Sequence, residues 1–533
     1  MGFTWLLHHA HLLGGSAAHR RFQRALEDPE AAQRRRLAAI LGALRQTAAW
    51  CHLPAGLGYE TFREVVPIRT YAELEPELEA QRQDGAPRLS PRCRRWQPTS
   101  GSTARRKWIP YPPGFLAELD QAAGAWMGDL RHLAPRAFEG RHYWSLSWMP
   151  DALRGEGVDP DDLSLLPAWK RGLLGRVMAV PPSVGRLSTS AESWQATVAW
   201  LAAREDLALL SLWSPTFGLA LLQTLADHRE ALAEGLQSGR WPWGLGPRAP
   251  RSAHKLQAWS GELDPRFFQS LWPRLALVSA WDDGASGAHA ARLGTLLPQA
   301  RFQGKGLWAT EGVVSFPFRE ARPLAVTSHV LELRCLATGR VHPAWDLEVG
   351  QEVQPMLSTS AGLLRYPLED RLVVDGRLGR TPTVRFLGRI GGTDLVGEKL
   401  DEGAVGRLLH QLEARWGLRC LTLFAVAGVP CRYVLLAEGQ GEVKPLVEAL
   451  EAGLGTFHHY RLARELGQLG VAEVCQVADA SPVLARLAEV QGQAAGEAKG
   501  RHLAMWPVQA LGPRIDAATP GSSKTEDRLP ESR

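Results

Sequence analysis

The chain has 533 residues, of which 45% are apolar and 22% are charged. This length exceeds what one ordinary hydrophobic core organises, so two or three domains are expected, and the composition excludes a disordered chain or an integral membrane protein. The 61 basic residues nearly balance the 56 acidic ones, and the net charge of +5 gives no electrostatic support for nucleic-acid binding.

Six cysteines lie far apart in the sequence and form no C-x-x-C pair. This spacing argues against a structural zinc site and a disulfide framework, and it fits a reducing cytoplasm best. The N-terminal stretch is apolar, but His8, His9 and His11 interrupt it and no basic segment precedes it, so no signal peptide is predicted. The three histidines fit either a metal site or simple exposure. No run is long and apolar enough to predict a membrane span, and no membrane partner is expected.

Helical patterns dominate the N-terminal part of the chain. Residues 17–50, Tyr71 to Arg82 and Phe115 to Leu133 carry apolar side chains at helical spacing. Between the second and third of these, an extended run ending at Pro98 and an alternating run beginning at Lys107 flank a loop. We therefore predict a strand-loop-strand turn there.

The loop of this turn concentrates hydroxyl groups, a glycine and a cation in Thr99, Ser100, Gly101, Ser102, Thr103 and Lys107. Gly101 allows close approach of the backbone to a ligand, hydroxyl and N–H groups donate to phosphate oxygens, and Lys107 supplies a point charge. The loop therefore fits a phosphate site. The alternative is a polar hairpin loop, which composition alone favours, because the G-x-x-x-x-G-K spacing of a mononucleotide-binding loop is missing.

Residues 191–330 alternate between helical and apolar strand patterns, which is typical of an α/β sheet. Ligands of open α/β sheets bind beyond the carboxyl ends of the strands. The loop 282–286, which contains Gly284 and Ala285, and the segment 300–312 are both expected at such ends and are candidate ligand loops. The predicted elements are helices at Ala191 to Ala203, Thr216 to Leu236 and His289 to Leu297, and strands at 207–213 and 275–281.

From Val330 the pattern changes to short strands separated by turn residues, which predicts a small β-barrel-like subdomain or curved sheet. Glycines near Arg389 then predict a hinge, and a compact α+β pattern follows it. The fold class is thus α/β, with a large N-terminal domain at 1–388, a small C-terminal domain at 389–514 and a disordered tail at 515–533. The short strands are predicted at 331–336, 352–358, 362–366, 371–375 and 383–387.

Three further segments offer chemistry that a nucleotide site needs. Glu311, after Thr310, is a carboxylate suited to Mg²⁺, and the alternative is an N-cap threonine beside a surface glutamate. Asp370 is placed to accept hydrogen bonds from a ribose, and the alternative is a strand-end turn. Arg389 and Lys399 flank the predicted hinge and can reach phosphate. The alternatives for these two are solvated cations and, for Lys399, a weak surface pair with its glutamate neighbour.

Several segments together resemble the motifs of one superfamily in order and spacing, although none is specific alone. They are Thr99 to Thr103 with Lys107, Leu209 to Thr216, Trp281 to Ser286, Gln303 to Ser315, Tyr366 with Asp370, Gly388 with Arg389, and Val396 to Leu400. The chain resembles adenylate-forming enzymes over roughly residues 20–514. The most similar group is the bacterial branch of the auxin-responsive, plant-hormone-conjugating acyl-acid amido synthetases.

The resemblance implies a ligase that uses ATP and Mg²⁺ to convert a carboxylic acid into an acyl adenylate and then transfers the acyl group to an amine or amino acid. It implies that Lys107 and the hydroxyl loop hold the β- and γ-phosphates, that Glu311 binds Mg²⁺ and that Asp370 holds the ribose. Arg389 and Lys399 are implied to act in catalysis from the hinge side. The implied ATP-binding positions are Thr99, Ser100, Gly101, Ser102, Thr103, Gly284, Ala285, Trp308, Ala309, Thr310 and Asp370.

Two positions depart from the family pattern. The family reads Y-R-x-G-D where this chain has Tyr366-Pro367-Leu368-Glu369-Asp370, so the arginine is missing and Glu369 replaces a glycine. The family also carries Q-x-K-x-P-R near the C-terminus, and here Leu511 stands where the adenylation lysine is expected. Losing such a cation costs orders of magnitude in rate. Lys499 is the nearby candidate to replace it.

These departures leave alternatives to the ligase. One is a weakened homologue that binds a nucleotide or acyl acid as an accessory protein, which Leu511 and Pro367 favour. Another is an acyl-CoA ligase, which shares the first half-reaction. The intact loop, Lys107 and Glu311 favour catalysis. An α/β hydrolase is excluded because the chain has no G-x-S-x-G elbow.

Overall fold

The computed structural model of the chain describes residues 16–54, 56–93, 95–99, 107–145, 175, 177–283, 286–390, 392–428, 430–478, 480, 483 and 502–505. The described chain divides into two compact units, with the division between Ile390 and Gly391. The architecture is mixed α/β, as predicted. No helix within these ranges has both the length and the apolar character needed to cross a bilayer.

Helices cover much of the larger unit. The segment predicted as one helical stretch at 17–50 breaks at Asp28, because its carboxylate accepts a hydrogen bond from Ala31 N and Pro29 occupies the first turn of the second helix. Three short helices of the larger unit, at 59–65, 250–257 and 265–271, were not predicted, because they are too short to show a clear hydrophobic period. The helices are α1 (16–27), α2 (Pro29–Leu44), α3 (Tyr59–Val65), α4 (Tyr71–Asp84), α5 (Pro113–Leu133), α6 (Ser190–Ala202), α7 (Pro215–Asp227), α8 (Arg229–Ser238), α9 (Pro250–Gln257), α10 (Pro265–Leu271) and α11 (Gly287–Leu296).

A four-stranded parallel sheet forms the centre of the larger unit. Its strands are β3 (Arg141–Trp144), β4 (Leu207–Ser211), β5 (Leu277–Ala280) and β6 (Arg301–Gly304), in the order β3-β4-β5-β6. Leu209 and Leu277 pack into the core that also contains Trp126 of α5, whereas Leu210 and Val278 pack into a second core. The sheet is therefore buried on both faces, and its carboxyl ends form one edge.

The predicted strand-loop-strand turn is present. The strands β1 (Trp96–Pro98) and β2 (Trp108–Pro110) pair antiparallel, with Pro98 opposite Trp108. A second small hairpin is formed by β7 (Trp308–Ala309) and β8 (Gly312–Val313). Each hairpin thus presents a candidate ligand segment at its turn.

A six-stranded antiparallel sheet completes the larger unit, in the order β10-β9-β11-β13-β14 with β12 on β11. The strand predicted at 362–366 is wrong for its first part. Gly362 has φ +87°, and a Cβ there would lie 2.0 Å from the carbonyl oxygen of Leu89, so the chain turns and pairing begins only at Tyr366. The strands are β9 (Val330–Cys335), β10 (Val341–Pro343), β11 (Glu352–Ser358), β12 (Tyr366–Pro367), β13 (Asp370–Leu378) and β14 (Thr381–Arg389).

The smaller unit is an α+β arrangement. A four-stranded sheet has the order β19-β18-β17-β20, and a separate two-stranded ladder joins β15 to β16. Between 479 and 501 the structure describes only positions 480 and 483, and the tail predicted as disordered at 515–533 lies wholly outside the described residues. The elements are β15 (Gly392–Thr393), β16 (Leu400–Asp401), α12 (Glu402–Trp416), β17 (Arg419–Val426), β18 (Arg432–Glu438), α13 (Val443–Leu454), α14 (His458–Glu465), β19 (Glu473–Val477) and β20 (Leu503–Met505).

Candidate active site

The base of the hydroxyl hairpin is closed by the backbone. Thr99 N donates to the carbonyl oxygen of Lys107 at 2.8 Å, directly beyond the β1–β2 ladder. Thr99 Oγ1 is buried and has no hydrogen-bond partner among the residues that the structure describes. Ser100, Gly101, Ser102 and Thr103 lie outside the described residues. The hairpin stem therefore fixes both ends of the loop that the sequence assigns to phosphate.

Lys107 projects from this stem toward an acidic side chain. Its Nζ lies 3.1 Å from Glu369 Oε1 and 5.9 Å from the ring centroid of Tyr71. The Tyr71 hydroxyl in turn accepts a hydrogen bond of 2.7 Å from Trp108 N. Tyr71 thus ties the first residue of β2 to the start of α4, and its ring lies beside the Lys107 ammonium group.

Arg389 reaches the same acidic side chain from the end of β14. One of its guanidinium nitrogens lies 3.1 Å from Glu369 Oε2, and its Nε lies 3.8 Å from Asp370 Oδ1. Asp370 is opposite Arg389 in the β13–β14 ladder, so backbone pairing sets their proximity. Glu369 consequently bridges Lys107 and Arg389, the two cations that the sequence assigns to phosphate.

Glu311 belongs to the same cluster of charges. Burial raises the pKa of its carboxyl group, as does the negative charge of Asp370, whereas the positive charges of Lys107 and Arg389 lower it. These mutual effects require all four groups to lie within electrostatic range of one another. The structure therefore brings together Lys107, Arg389, Asp370 and Glu311, which lie far apart in the sequence.

Two neighbouring side chains, Tyr111 and His329, contact the turn that carries Glu311. The Tyr111 hydroxyl donates to the carbonyl oxygen of Thr310 at 2.8 Å. Gly312 has φ +150°, and a Cβ there would lie 2.9 Å from Nε2 of the buried His329. The His329 ring is fixed because its Nδ1 lies 2.9 Å from a carboxylate oxygen of the buried Glu118. Thr310 and Glu311 therefore form the turn of the β7–β8 hairpin, which rules out the alternative of a helix N-cap.

The loop after β5 is anchored by ion pairs. Arg322 lies 2.9 Å from Asp282 Oδ1 and 2.6 Å from Asp283 Oδ1, and Phe386 N donates to Asp283 Oδ2 at 3.0 Å. A Cβ at Gly304 would lie 2.1 Å from the Asp282 carboxylate, so no side chain fits there. Gly284 and Ala285, which the resemblance places at the adenine, lie outside the described residues. Their role therefore stays a prediction.

Lys399 belongs to the smaller unit, at the residue before β16, and has φ +47°. Its neighbour Glu398 is fully buried, so the alternative of a weak surface pair is wrong. The Glu398 carboxylate accepts hydrogen bonds from Leu395 N at 2.7 Å and from Val396 N at 2.8 Å, as well as one from the Tyr433 hydroxyl. Glu398 thus fixes the backbone immediately before Lys399. Leu511 and Lys499 lie outside the described residues.

The stability of the smaller unit should depend on the ionisation of Glu398. Burial, with the nearby charge of Asp394, raises the pKa of Glu398 from 4.5 to about 7. The folded chain therefore binds this proton more tightly than the unfolded chain, and the stability that it contributes at low pH is lost as the pH rises from 4.5 to about 7. Hydrogen exchange of 419–438, corrected for the intrinsic pH effect, should become several-fold faster across that range.

The matched variants for this test are Glu398→Gln, which cannot ionise, and Glu448→Gln, which removes an exposed carboxylate in the same unit. The corrected exchange of the first should be nearly independent of pH, and that of the second should follow the wild type. An equal pH dependence in all three proteins would show that Glu398 does not titrate in this range.

The residues around Glu311 fit a magnesium ion that is shared with a nucleotide. Mg²⁺ takes one or two carboxylates together with phosphate oxygens and waters. Glu311 is only partly exposed, and its raised pKa indicates a carboxylate whose charge is incompletely compensated. Asp370 acts on it electrostatically and adds negative charge to the same place. The described residues contain no group of three or more potential metal ligands. A magnesium ion bound at Glu311 would therefore need further oxygen ligands from the nucleotide.

Sequence reasoning noticed Glu369 only as a departure from the family pattern and did not assign it a role. Its position between two cations was not accessible from the sequence, because Lys107 and Glu369 are 262 residues apart. The spacing of Asp370 and Arg389 gave no signal either, since their proximity results from strand pairing.

The mixed α/β fold, with its larger N-terminal and smaller C-terminal unit, is shared with several solved structures. A GH3.15 acyl acid amido synthetase is 17% identical, covers 92% of this chain and 94% of its own, and has a TM-score of 0.59. AtGH3.15 acyl acid amido synthetase in complex with 2,4-DB is also 17% identical, covers 93% of this chain and 95% of its own, and has a TM-score of 0.62. A 2-hydroxyisobutyryl-CoA ligase in complex with 2-HIB-AMP and CoA is 16% identical, covers 93% and 94%, and has a TM-score of 0.50.

The chain belongs to the GH3 family. The family's N-terminal domain matches residues 18–302, which is more than half of the chain, and its central domain matches residues 327–389. No curated protein sequence matches the chain. The family that the motifs suggested is therefore confirmed, whereas the bacterial branch stays a prediction.

Proposed function

We propose that this protein is an ATP-dependent acyl-acid amido synthetase, which activates a carboxylic acid as an acyl adenylate and transfers the acyl group to an amine or amino acid. The observation that carries the proposal is the convergence of Lys107, Arg389, Asp370 and Glu311 at the base of the hydroxyl hairpin. A cluster with two cations, a hydroxyl-rich loop and a metal-binding carboxylate is what a magnesium triphosphate requires.

The first half-reaction brings a carboxylate anion against the α-phosphate of ATP. The electrostatic repulsion between these anions has to be offset by charges that are in position before the reaction. In this proposal Lys107 and the hairpin hold the β- and γ-phosphates, Arg389 offsets phosphate charge from the end of β14, and Asp370 orients the ribose. Glu311 would hold Mg²⁺, which supplies charge neutralisation of the phosphates when bound.

The second half-reaction is the attack of an amine on the acyl carbon, which forms the amide and releases AMP. The resemblance assigns Lys399 to catalysis and makes 389–514 a mobile domain, and both assignments stay predictions, as does a cytoplasmic location. The GH3.15 structures carry the name of acyl acid amido synthetases, which supports an amine rather than a thiol acceptor. Because the 2-hydroxyisobutyryl-CoA ligase has the same fold, CoA is the alternative acceptor.

A second candidate function is a nucleotide- or acyl-binding accessory protein with little turnover. The observation that favours it is Glu369, whose carboxylate already pairs with both Lys107 and Arg389. Leu511 in place of the family lysine points the same way. The cations and Glu311 would then bind a nucleotide without completing the reaction.

Pyrophosphate release from ATP and Mg²⁺, measured across a panel of carboxylic acids, tests the proposal. Release with at least one acid, followed by amide formation when an amino acid is added, is the expected result. Thioester formation with CoA and no amide would identify the acyl-CoA ligase instead. Measurable ATP binding without pyrophosphate release from any acid would support the accessory protein.

Replacing Glu369 with glutamine should lower the KM for ATP, because the triphosphate would no longer displace a carboxylate from Lys107 and Arg389. The Glu369 side chain is 49% exposed, so each of its two ion pairs is screened by solvent and contributes about 0.2–1 kcal/mol. Together they amount to at most about 2 kcal/mol, which corresponds to a decrease of up to about 30-fold in KM. Initial rates of pyrophosphate release against ATP concentration measure it.

Glu352→Gln is the matched control, because Glu352 is an exposed glutamate in β11 of the sheet that contains Arg389, and its carboxylate lies 3.9 Å from Arg371. Its KM for ATP should equal that of the wild type. A higher KM in Glu369→Gln would mean that Glu369 orients the two cations for ATP rather than competing with it.

A further inference from the structure

A buried polar cluster contacts the turn that carries Glu311. Its members are Glu118 of α5, His329 directly before β9 and Ser360 after β11, and each is at most 3% exposed. Ser360 donates to the Glu118 carboxylate from its backbone N, at 3.2 Å from Oε1 and 3.3 Å from Oε2, and also from its hydroxyl group. Glu118 Oε2 lies 2.9 Å from His329 Nδ1. We call these three residues the polar cluster.

The polar cluster holds the His329 imidazole at one angle. A carboxylate accepts hydrogen bonds and does not donate them, so the proton of this contact belongs to His329 Nδ1. The backbone of His329 is fixed as well, because Gln33 of α2 donates from Nε2 to the His329 carbonyl oxygen at 2.7 Å and accepts from Leu331 N at 2.8 Å. Neither the ring nor its backbone can therefore move without breaking buried hydrogen bonds, which are costly to lose.

The opposite edge of the imidazole meets the β7–β8 hairpin at Gly312. A Cβ at Gly312 would lie 2.9 Å from His329 Nε2 and 3.1 Å from its Cδ2, so the ring takes the space in which a side chain would stand. This contact is one of packing, since Nε2 is buried and has no hydrogen-bond partner among the residues that the structure describes. Gly312 directly follows Glu311, and its φ of +150° is a conformation that only glycine adopts readily. The imidazole therefore fixes the backbone next to the proposed magnesium ligand.

An apolar side chain would pack against Gly312 at a lower cost than histidine does. Phe115 already lies beside the imidazole, with 5.6 Å between the two ring centroids. Burying a carboxylate and an imidazole in such a place costs free energy that a hydrophobic pair avoids. What the imidazole adds is a fixed orientation, because Glu118 holds one of its edges while the other contacts the hairpin. Groups that orient metal ligands in proteins are held by hydrogen bonds in the same way.

We propose that His329 is a positioning residue for the magnesium carboxylate. Ser360 and Glu118 fix the angle of the imidazole. The imidazole in turn fixes Gly312, and with it the backbone that carries Glu311. The carboxylate is thereby held where a nucleotide-bound Mg²⁺ needs an oxygen ligand. This inference rests on the proposed function, because it concerns the metal ligand of the same site.

Calorimetric titration with ATP, once in excess Mg²⁺ and once in EDTA, tests the inference. The ratio of the two dissociation constants gives the gain in affinity that the metal supplies. In His329→Leu, which keeps an apolar side chain in the core, this gain should fall by about 10-fold to 100-fold, the range found when a group that orients a metal ligand is replaced. The affinity in EDTA should equal that of the wild type, whereas a purely structural defect would weaken binding under both conditions.

Ser360→Ala gives the same test in a variant that loses only one hydroxyl group. Its metal-dependent gain should fall, but less than that of His329→Leu, because Ser360 N still donates to Glu118. Both changes act through one imidazole, so the double variant should lose no more than His329→Leu alone. Losses that multiply in the double variant would overturn the proposed order of contacts.

His142→Leu is the control, because His142 is also a fully buried histidine of the larger unit, and its Nε2 lies 2.8 Å from the Ala137 carbonyl oxygen. It belongs to β3 and to neither hairpin. Its metal-dependent gain should equal that of the wild type. A decrease as large as that in His329→Leu would show that the loss of any buried histidine is sufficient, and would overturn the inference.

The titration separates this inference from the proposed function, because it needs no turnover. If the wild type shows the metal-dependent gain but releases no pyrophosphate with any acid, the proposed function fails, and His329→Leu still decides the inference. A gain that His329→Leu retains in full overturns the inference. A wild type whose affinity for ATP is the same in Mg²⁺ and in EDTA also overturns it, since Glu311 would then hold no metal.

Discussion

Lys107→Met and Glu311→Gln should each reduce ATP-dependent pyrophosphate release by about 100-fold to 1000-fold, the range found when one preorganised charge or donor is removed from an active site. In the proposed site Lys107 would offer its charge from the stem of the hydroxyl hairpin, and Glu311 would offer the carboxylate for Mg²⁺ from the β7–β8 turn. The physical reason is that each variant removes one of the preorganised charges that the proposed site needs. Steady-state rates at saturating acid measure the effect.

The two variants should differ in their response to magnesium. Glu311→Gln should recover part of its rate as the Mg²⁺ concentration is raised, whereas Lys107→Met should not. Lys255→Met and Glu352→Gln are controls that change the same charges elsewhere in the larger unit. Full activity in both site variants would show that the triphosphate is bound by other residues.

Leu511→Lys should raise the rate of adenylate formation by about 100-fold, because it restores the cation that the family carries at that position of Q-x-K-x-P-R. A positive charge that contacts the α-phosphate only in the transition state increases kcat and leaves the KM for ATP nearly unchanged. Single-turnover pyrophosphate release with a saturating acid measures the step directly.

Leu511→Met is the control for this gain, since it keeps a neutral side chain of similar length. Its rate should equal that of the wild type. No increase in Leu511→Lys would mean that another cation, such as Lys499, already serves the reaction. Removing that residue with Lys499→Ala would then lower the rate, and an unchanged rate in both variants would leave the accessory function as the better account.

The sequence was sufficient to predict the elements that have a strong hydrophobic period or clear boundary residues. The buried strand pattern at 207–213 became β4, and the apolar period of 115–133 became α5, because tertiary packing and local preference agree there. The extent of the helix predicted at 216–236 was wrong, since His228 separates Pro215–Asp227 from Arg229–Ser238. The break consists of non-helical backbone geometry at one residue, His228, and no local sequence signal marks it.

The candidate site was predicted as separate motifs, and its assembly was not. Thr310 and Glu311 were singled out as a pair, but their place in a β-hairpin above the buried His329 depends on contacts with Glu118, which lies on another element. The pairing of Glu369 with Lys107 and Arg389 was missed because Lys107 is distant from Glu369 in the chain and Arg389 reaches it from another strand. Single-sequence reasoning identifies chemistry that is local and misses chemistry that two strands or a helix and a sheet create together.

A crystal structure of the protein with Mg²⁺ and a non-hydrolysable ATP analogue tests the central claim most directly. We expect the β- and γ-phosphates to lie beside the Lys107 ammonium group, the Glu369 carboxylate to have turned away from it, and Glu311 to coordinate the metal. A nucleotide bound elsewhere, with Glu369 still paired to Lys107 and Arg389, would contradict it.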